Sequence, residues 1–214
     1  MVGRGAGKDG YIAFDSACSI SPYNPVGHYN VDICAMNEDQ ATQPSKTGGG
    51  AGAARYEAKL NRHYYHTKEI IQGRKNRGVM KGRTNNPKGR DGMRSGKTIF
   101  NEVHAYENYD NIKVFITGLG KVADARIGYF TSNGEVSDGP LDDKLAQARR
   151  ILFEGEADGG MLPFICCLQS RDQVHDPANW YMANPSLPTA LRSFRRRRTN
   201  TATGWSTRNR TGTF

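Results

Sequence analysis

Asn101 and Glu102 follow directly on an apolar, β-forming run, Thr98-Ile99-Phe100. A strand of this kind carries its terminal polar side chains to the edge of a sheet. There the first can hold a divalent cation and the second can polarise a water for attack on a phosphoanhydride. The run 98–108 also fits a buried edge strand that turns into solvent at Asn101, since short apolar runs are ambiguous on their own.

A second set of residues suited to chemistry lies near the start. Gly3-Arg4-Gly5-Ala6-Gly7-Lys8-Asp9-Gly10 is glycine-rich, carries Lys8 and leads into a helix-compatible stretch from Tyr11 to Ile20. The backbone N–H groups of such a loop, with the helix N-terminus behind it, cradle phosphates. The strict phosphate-loop spacing asks for Gly, four residues, Gly-Lys, then Ser or Thr. Here Val2 takes the place of the first glycine and Asp9 that of the Ser or Thr. Ser95-Gly96-Lys97-Thr98 has the right ending, but Asp91 stands where the first glycine belongs. That motif also runs into a strand, which offers no helix N-terminus to a phosphate, so it is set aside. His104 reads as a packed or hydrogen-bonding residue rather than a base, and Trp180 as a docking anchor rather than a platform for stacked bases.

These groups need elements to bring them together. Val31 to Met36, Thr98 to Phe100, Ile127 to Gly134 and Met161 to Leu168 read as strands. Helices are expected over Tyr11 to Ile20, Ile112 to Leu119 and Leu141 to Phe153, the last with Leu141, Leu145, Ala148 and Leu152 on one face. Asn37 fits a cap for a helix from Glu38, Tyr56 to Leu60 is helix-like, and residues 76–96 read as a loop or hairpin. Asp176-Pro177 opens a short helical turn to Ala183. Alternation of strands and helices predicts an α/β layered sheet. Ligands of such sheets sit at the C-terminal ends of the strands, where Asn101-Glu102 and Thr131-Ser132-Asn133 both fall.

Composition bounds the partners. Residues 55–97 carry 13 Lys or Arg against 3 acids, residues 98–188 carry 7 against 13, and residues 189–214 carry 7 against none. Basic blocks flanking an acidic module point to a polyanion such as nucleic acid, or to a solvated surface. No stretch approaches the length of a membrane-spanning helix, and the first residues lack the apolar core of a signal peptide. Cys18, Cys34, Cys166 and Cys167 form no CxxC pair, which reads as reduced thiols in a cytosolic compartment.

The set as a whole resembles the ATPase domain of the large subunit of tailed-bacteriophage terminases. The residues that carry the resemblance are Gly3 to Lys8, Phe100 to Glu107, Thr131 to Gly134, Gly139-Pro140-Leu141-Asp142-Asp143, and Trp180-Tyr181-Met182-Ala183-Asn184-Pro185-Ser186-Leu187. It implies a P-loop NTPase sheet with helices on both faces, occupying residues 1–188. The strand ahead of the loop and the family's nuclease domain would then lie outside this sequence. It further implies an ATP hydrolase using ATP and Mg²⁺ to drive double-stranded viral DNA into a capsid, in the cytoplasm of a bacterial host. Its partners would be the terminase small subunit, the capsid portal and other copies in a ring. Gly3, Arg4, Gly5, Ala6, Gly7, Lys8 and Asp9 would bind nucleotide, Lys8 reaching the β- and γ-phosphates and Arg4 helping to neutralise the γ-phosphate. Glu102 would orient the attacking water, Asn101 and Asp9 would face the metal, and Thr131, Ser132 and Asn133 would form the motif that senses phosphate loss. Asn101 stands where the family usually carries Asp. The rivals are a non-catalytic basic DNA-binding protein and another P-loop ATPase such as a helicase.

Two stretches interrupt this pattern. Ser45 to Ala54 is a Gly/Ala-rich tract that reads as flexible linker, and residues 189–214 form a basic tail of too little apolar content to fold. Read one base later, the codons for residues 45–54 and 194–214 permit amphipathic helices, so both stretches fit a shifted reading frame. The tail's charge is then no sign of a nucleic-acid partner.

Overall fold

A computed structural model of the chain describes residues 1–3, 5–35, 59–67, 69–84, 94–134 and 136–187. The readings for Arg4, the helix expected from Glu38, the tract 45–54 and the tail 189–214 lie outside these residues. Six strands form one open sheet in the order β2-β3-β4-β1-β5-β6. They are β1 (Asn30–Cys34), β2 (Tyr64–His66), β3 (Ile70–Gly73), β4 (Val79–Arg83), β5 (Ser95–Asn101) and β6 (Arg126–Phe130). β4, β1, β5 and β6 run parallel, while β2, β3 and β4 form an antiparallel meander at one edge.

β5 lies between β1 and β6, and its period-two alternation splits its side chains between two cores. Ile99 joins Ile12, Ile20, Val31, Ile33 and Met80 beneath helix α1 (Lys8–Ser19). Phe100 joins Cys34, Val103, Tyr106, Ile112, Phe115 and Leu141 on the opposite face, under α2 (Asp110–Ile116) and α3 (Pro140–Arg149). The Phe100 ring stacks on Tyr129 at 5.5 Å and meets Tyr106 and Phe115 edge-on at 6.2 and 5.9 Å. Helices thus cover both faces, as expected.

α1 is tied to β5 by Lys97, whose Nζ lies 2.6 Å from Asp15 Oδ2. The discarded Gly-Lys-Thr motif is therefore mid-strand, its lysine serving as a tether. Pro140 opens α3, and Asp142 and Asp143 sit in its first turn, where the macrodipole favours acids. On the opposite side of the sheet from α1, buried Asp32 accepts from Arg83 Nε at 2.7 Å and from the Ser95 hydroxyl.

Three expectations need correction. The helix read through Phe153 changes at Arg150 into a wider π turn, Arg150–Glu154, which ends at Gly155 in the left-handed region (φ 74°). The wider turn rotates Leu152 off the Leu141–Ala148 face and leaves it exposed. Residues 161–168 form no strand. Their backbone touches Met1 alone outside the local turn among the described residues, with Cys166 N–H donating to the Met1 carbonyl at 2.9 Å and the Met1 ammonium donating to Phe164 O at 2.6 Å, while Met161 N–H turns back to Asp158 O at 2.8 Å. That is too short a ladder, and Leu162 and Phe164 remain exposed. The loop or hairpin read over residues 76–96 contains β4, which pairs with β3 and β1 rather than within that stretch, and β2 and β3 are two strands that periodicity does not mark.

The β3–β4 turn depends on close backbone approach. A methyl group on Gly73 would collide with the Ile20 carbonyl oxygen, which cannot swing aside as a flexible side chain can. Gly73→Ala is expected to lower stability by about 1–3 kcal/mol, the usual cost of overpacking. A denaturant midpoint equal to that of the unmodified chain would contradict this close packing.

Candidate functional site

The parallel strands β5 and β6 end on the same edge of the sheet, and α1 begins there. Gly7 caps α1 in the left-handed conformation (φ 86°), and Gly5 is also left-handed (φ 75°). A β-carbon on either would meet nothing within 4 Å, so the loop bows around open space. The first helical bond is Tyr11 N–H to Gly7 O at 3.1 Å. Ahead of it the N–H groups of the first turn have no helical acceptor and are free to meet an anion.

Lys8 leaves this first turn and reaches across to the end of β5. Its Nζ lies 2.6 Å from Glu102 Oε1 and 3.1 Å from Asn101 Oδ1, both as hydrogen bonds. Asp9 joins from the helix side, with Oδ1 3.6 Å from Lys8 Nζ and 3.5 Å from Asn101 Nδ2. Asn101 is almost fully buried, and its Oδ1 also accepts from the Glu102 N–H at 3.0 Å. Lys8, Asp9, Asn101 and Glu102 therefore form one contact group built from two distant parts of the sequence.

Glu102 itself is held in the left-handed region (φ 55°, ψ 50°), where non-glycine residues are strained. That backbone turn aims its carboxylate back over the sheet edge. Oε2 is buried and has no hydrogen-bond partner among the described residues. His104 Nδ1 does approach it to 3.2 Å, without hydrogen-bond alignment. A buried, unsatisfied carboxylate oxygen costs free energy unless a proton donor such as water meets it.

The other predicted residues divide. Thr131 is buried just past β6, and its hydroxyl donates to Ser132 O at 2.6 Å while accepting from the His104 N–H at 3.0 Å. Ser132 is buried and Asn133 is exposed, and neither side chain hydrogen-bonds to the Lys8 group. His104, expected to pack or hydrogen-bond, does the latter and stands between Glu102 and Thr131. The segment 183–186 was also quoted only for its pattern, yet it braces the glycine loop. Gly3 N–H donates to Ala183 O at 2.8 Å, the Ser186 hydroxyl lies 3.4 Å from Ala6 O, and a β-carbon on Gly3 would clash with the Asn184 amide at 2.6 Å.

Among the described residues there is no group of three or more His, Cys, Asp or Glu placed to hold a metal ion. The carboxylate of Asp9 and the amide oxygen of Asn101 suit a different arrangement, in which Mg²⁺ takes one or two protein oxygens and completes its shell with phosphate oxygens and water.

The site thus lies on an open α/β sheet, with a glycine loop and a helix N-terminus at the ends of its parallel strands. Among solved structures, the chain is similar to the HK97 bacteriophage large terminase, with a TM-score of 0.70 and 15% identity over 86% of this chain. It spans 38% of the length of that structure's chain. No protein-family model and no curated protein matches it.

Proposed function

We propose that the chain is the ATPase motor part of a phage terminase large subunit, coupling ATP hydrolysis to packaging of double-stranded viral DNA. The single observation that carries this reading is the convergence of Lys8 with Glu102 and Asn101, at 2.6 and 3.1 Å, on the edge where the glycine loop opens. A lysine in that position serves the β- and γ-phosphates, and an acid one residue past the strand serves the attacking water. Mg²⁺, when bound with nucleotide, would neutralise charge developing on the phosphates, with Asp9 and Asn101 as its protein ligands.

The residues themselves set the order of events. Without nucleotide, the Lys8 ammonium is neutralised by Glu102. Phosphate oxygens compete for Lys8 and draw it toward the glycine loop. Glu102 then loses its cation and becomes free to accept a proton from water. Arg4 is proposed to neutralise the γ-phosphate, and Thr131, Ser132 and Asn133 to register its loss. Viral DNA, the terminase small subunit, the capsid portal and further copies in a ring are the proposed partners.

Titration with a fluorescent ATP analogue tests the reading. Lys8→Ala removes a charge-assisted contact worth about 1.5–3 kcal/mol, so affinity is expected to fall by roughly 10- to 100-fold. Binding that ignores Lys8 would favour a basic DNA-binding protein without catalysis.

A further inference from the structure

His104 occupies the turn between β5 and α2, and each of its polar contacts reaches a residue already assigned a part in the proposed reaction. Its backbone N–H donates to Thr131 Oγ1 at 3.0 Å, and its ring Nδ1 lies 3.1 Å from the same oxygen. Nδ1 is also 3.2 Å from Glu102 Oε2. Thr131 spends its own proton on Ser132 O, so its oxygen can only accept from the ring. That assigns the Nδ1 tautomer as protonated. The ring is pinned from behind, since a β-carbon on Gly134 would stand 2.5 Å from His104 Cβ.

One N–H thus faces two acceptors, the Thr131 hydroxyl and the buried Oε2 of Glu102, which has no hydrogen bond. The balance between them depends on Lys8. While Lys8 holds Oε1, the negative charge of Glu102 is partly satisfied and the imidazole N–H goes to Thr131. Once phosphate takes Lys8, the carboxylate is the stronger acceptor, because hydrogen bonds to ionised groups are about twice as strong as neutral ones. We propose that His104 is a positioning residue that ties Glu102 to Thr131, its Nδ1–H passing from the threonine to the carboxylate as nucleotide draws Lys8 away. The consequence is a mechanical link from the acid on β5 to the segment after β6, across residues 102–131. The proposal rests on the nucleotide reading above.

The test follows the Thr131 methyl group by NMR in the full chain, labelled with ¹³C-methyl threonine, with Thr131→Val to assign the resonance. Mg²⁺ and a non-hydrolysable ATP analogue are added, and the affinity of each variant is read separately by fluorescence titration. In the unmodified chain the Thr131 methyl is expected to shift on binding. In His104→Ala the analogue should still bind within about threefold of the original affinity, and the shift should disappear. His104→Asn, whose Nδ2 falls near the position of Nδ1, should restore it. His104→Phe keeps the ring volume against Gly134 without a donor and should behave as His104→Ala, which separates hydrogen bonding from loss of packing. A Thr131 shift that persists in both donor-free variants with nucleotide bound would overturn the link. So would failure of His104→Asn to restore the shift. Absence of Lys8-dependent binding in the unmodified chain would instead overturn the nucleotide reading, and the link with it.

Discussion

Glu102→Gln is expected to lower the rate of ATP hydrolysis by about 100- to 10,000-fold, the range that a positioned general base contributes. Nucleotide affinity should hold or rise in the same variant. The amide keeps the shape of the carboxylate but cannot take a proton from water. It also meets Lys8 with one charge in place of two, so Lys8 becomes easier for phosphate to capture. Loss of rate with retained binding thus separates Glu102 from Lys8, whose removal weakens binding. The backbone sharpens the comparison. Glu102 sits at φ 55°, a conformation that costs a non-glycine residue roughly 1–2 kcal/mol. Glu102→Gly relieves that cost and should leave the fold at least as stable, so inactivity in it cannot be blamed on unfolding. Hydrolysis that survives Glu102→Gln while nucleotide binding collapses would recast the acid as a mere counter-ion for Lys8.

Much of this site was visible in the sequence because each part sits at the end of a strongly patterned element. The Ile99-Phe100 pair announced a buried strand, and Asn101-Glu102 had to fall at its edge. The glycine run announced a tight loop ahead of a helix despite Val2 and Asp9. What stayed hidden was governed by contacts far away in sequence. Tyr64–His66 and Ile70–Gly73 are short and mostly half-exposed, so no alternation marks them as strands, and their pairing with each other, and of β3 with β4, decides them. Residues 161–168 look like a strand by composition, but a strand exists only with a partner along its length. His104 gave no signal of its role because its partner, Thr131, lies 27 residues on, and only the parallel register of β5 and β6 brings the two together. The brace from Ala183 and Ser186 onto the glycine loop is likewise set by tertiary packing.

The departures at Asp9 and Asn101 become intelligible once the two side chains are seen to touch. A phosphate loop usually places a neutral hydroxyl after the lysine and a carboxylate at the strand end. Here the carboxylate is on α1 and the neutral amide on β5, with Asp9 Oδ1 and Asn101 Nδ2 3.5 Å apart. The two positions have exchanged charge while the pair keeps a net charge of about −1, the quantity that matters most to a hard divalent cation. Asp9→Thr is therefore expected to strip the pair of its carboxylate and cost more than about 100-fold in Mg²⁺-dependent hydrolysis, beyond the upper end of what loss of a supporting residue around a metal costs. Asn101→Asp alone should raise hydrolysis by strengthening the metal ligand on β5. The double variant, Asp9→Thr with Asn101→Asp, restores one carboxylate and should recover most of what Asp9→Thr loses. Residues in contact couple by about 0.5–3 kcal/mol, so the cycle should be clearly non-additive. The measurement is nucleotide binding and hydrolysis across a Mg²⁺ titration, with Mn²⁺ binding followed by electron paramagnetic resonance as a readout independent of turnover. A double variant no better than Asp9→Thr would show that the carboxylate on α1 serves Lys8 and not the metal.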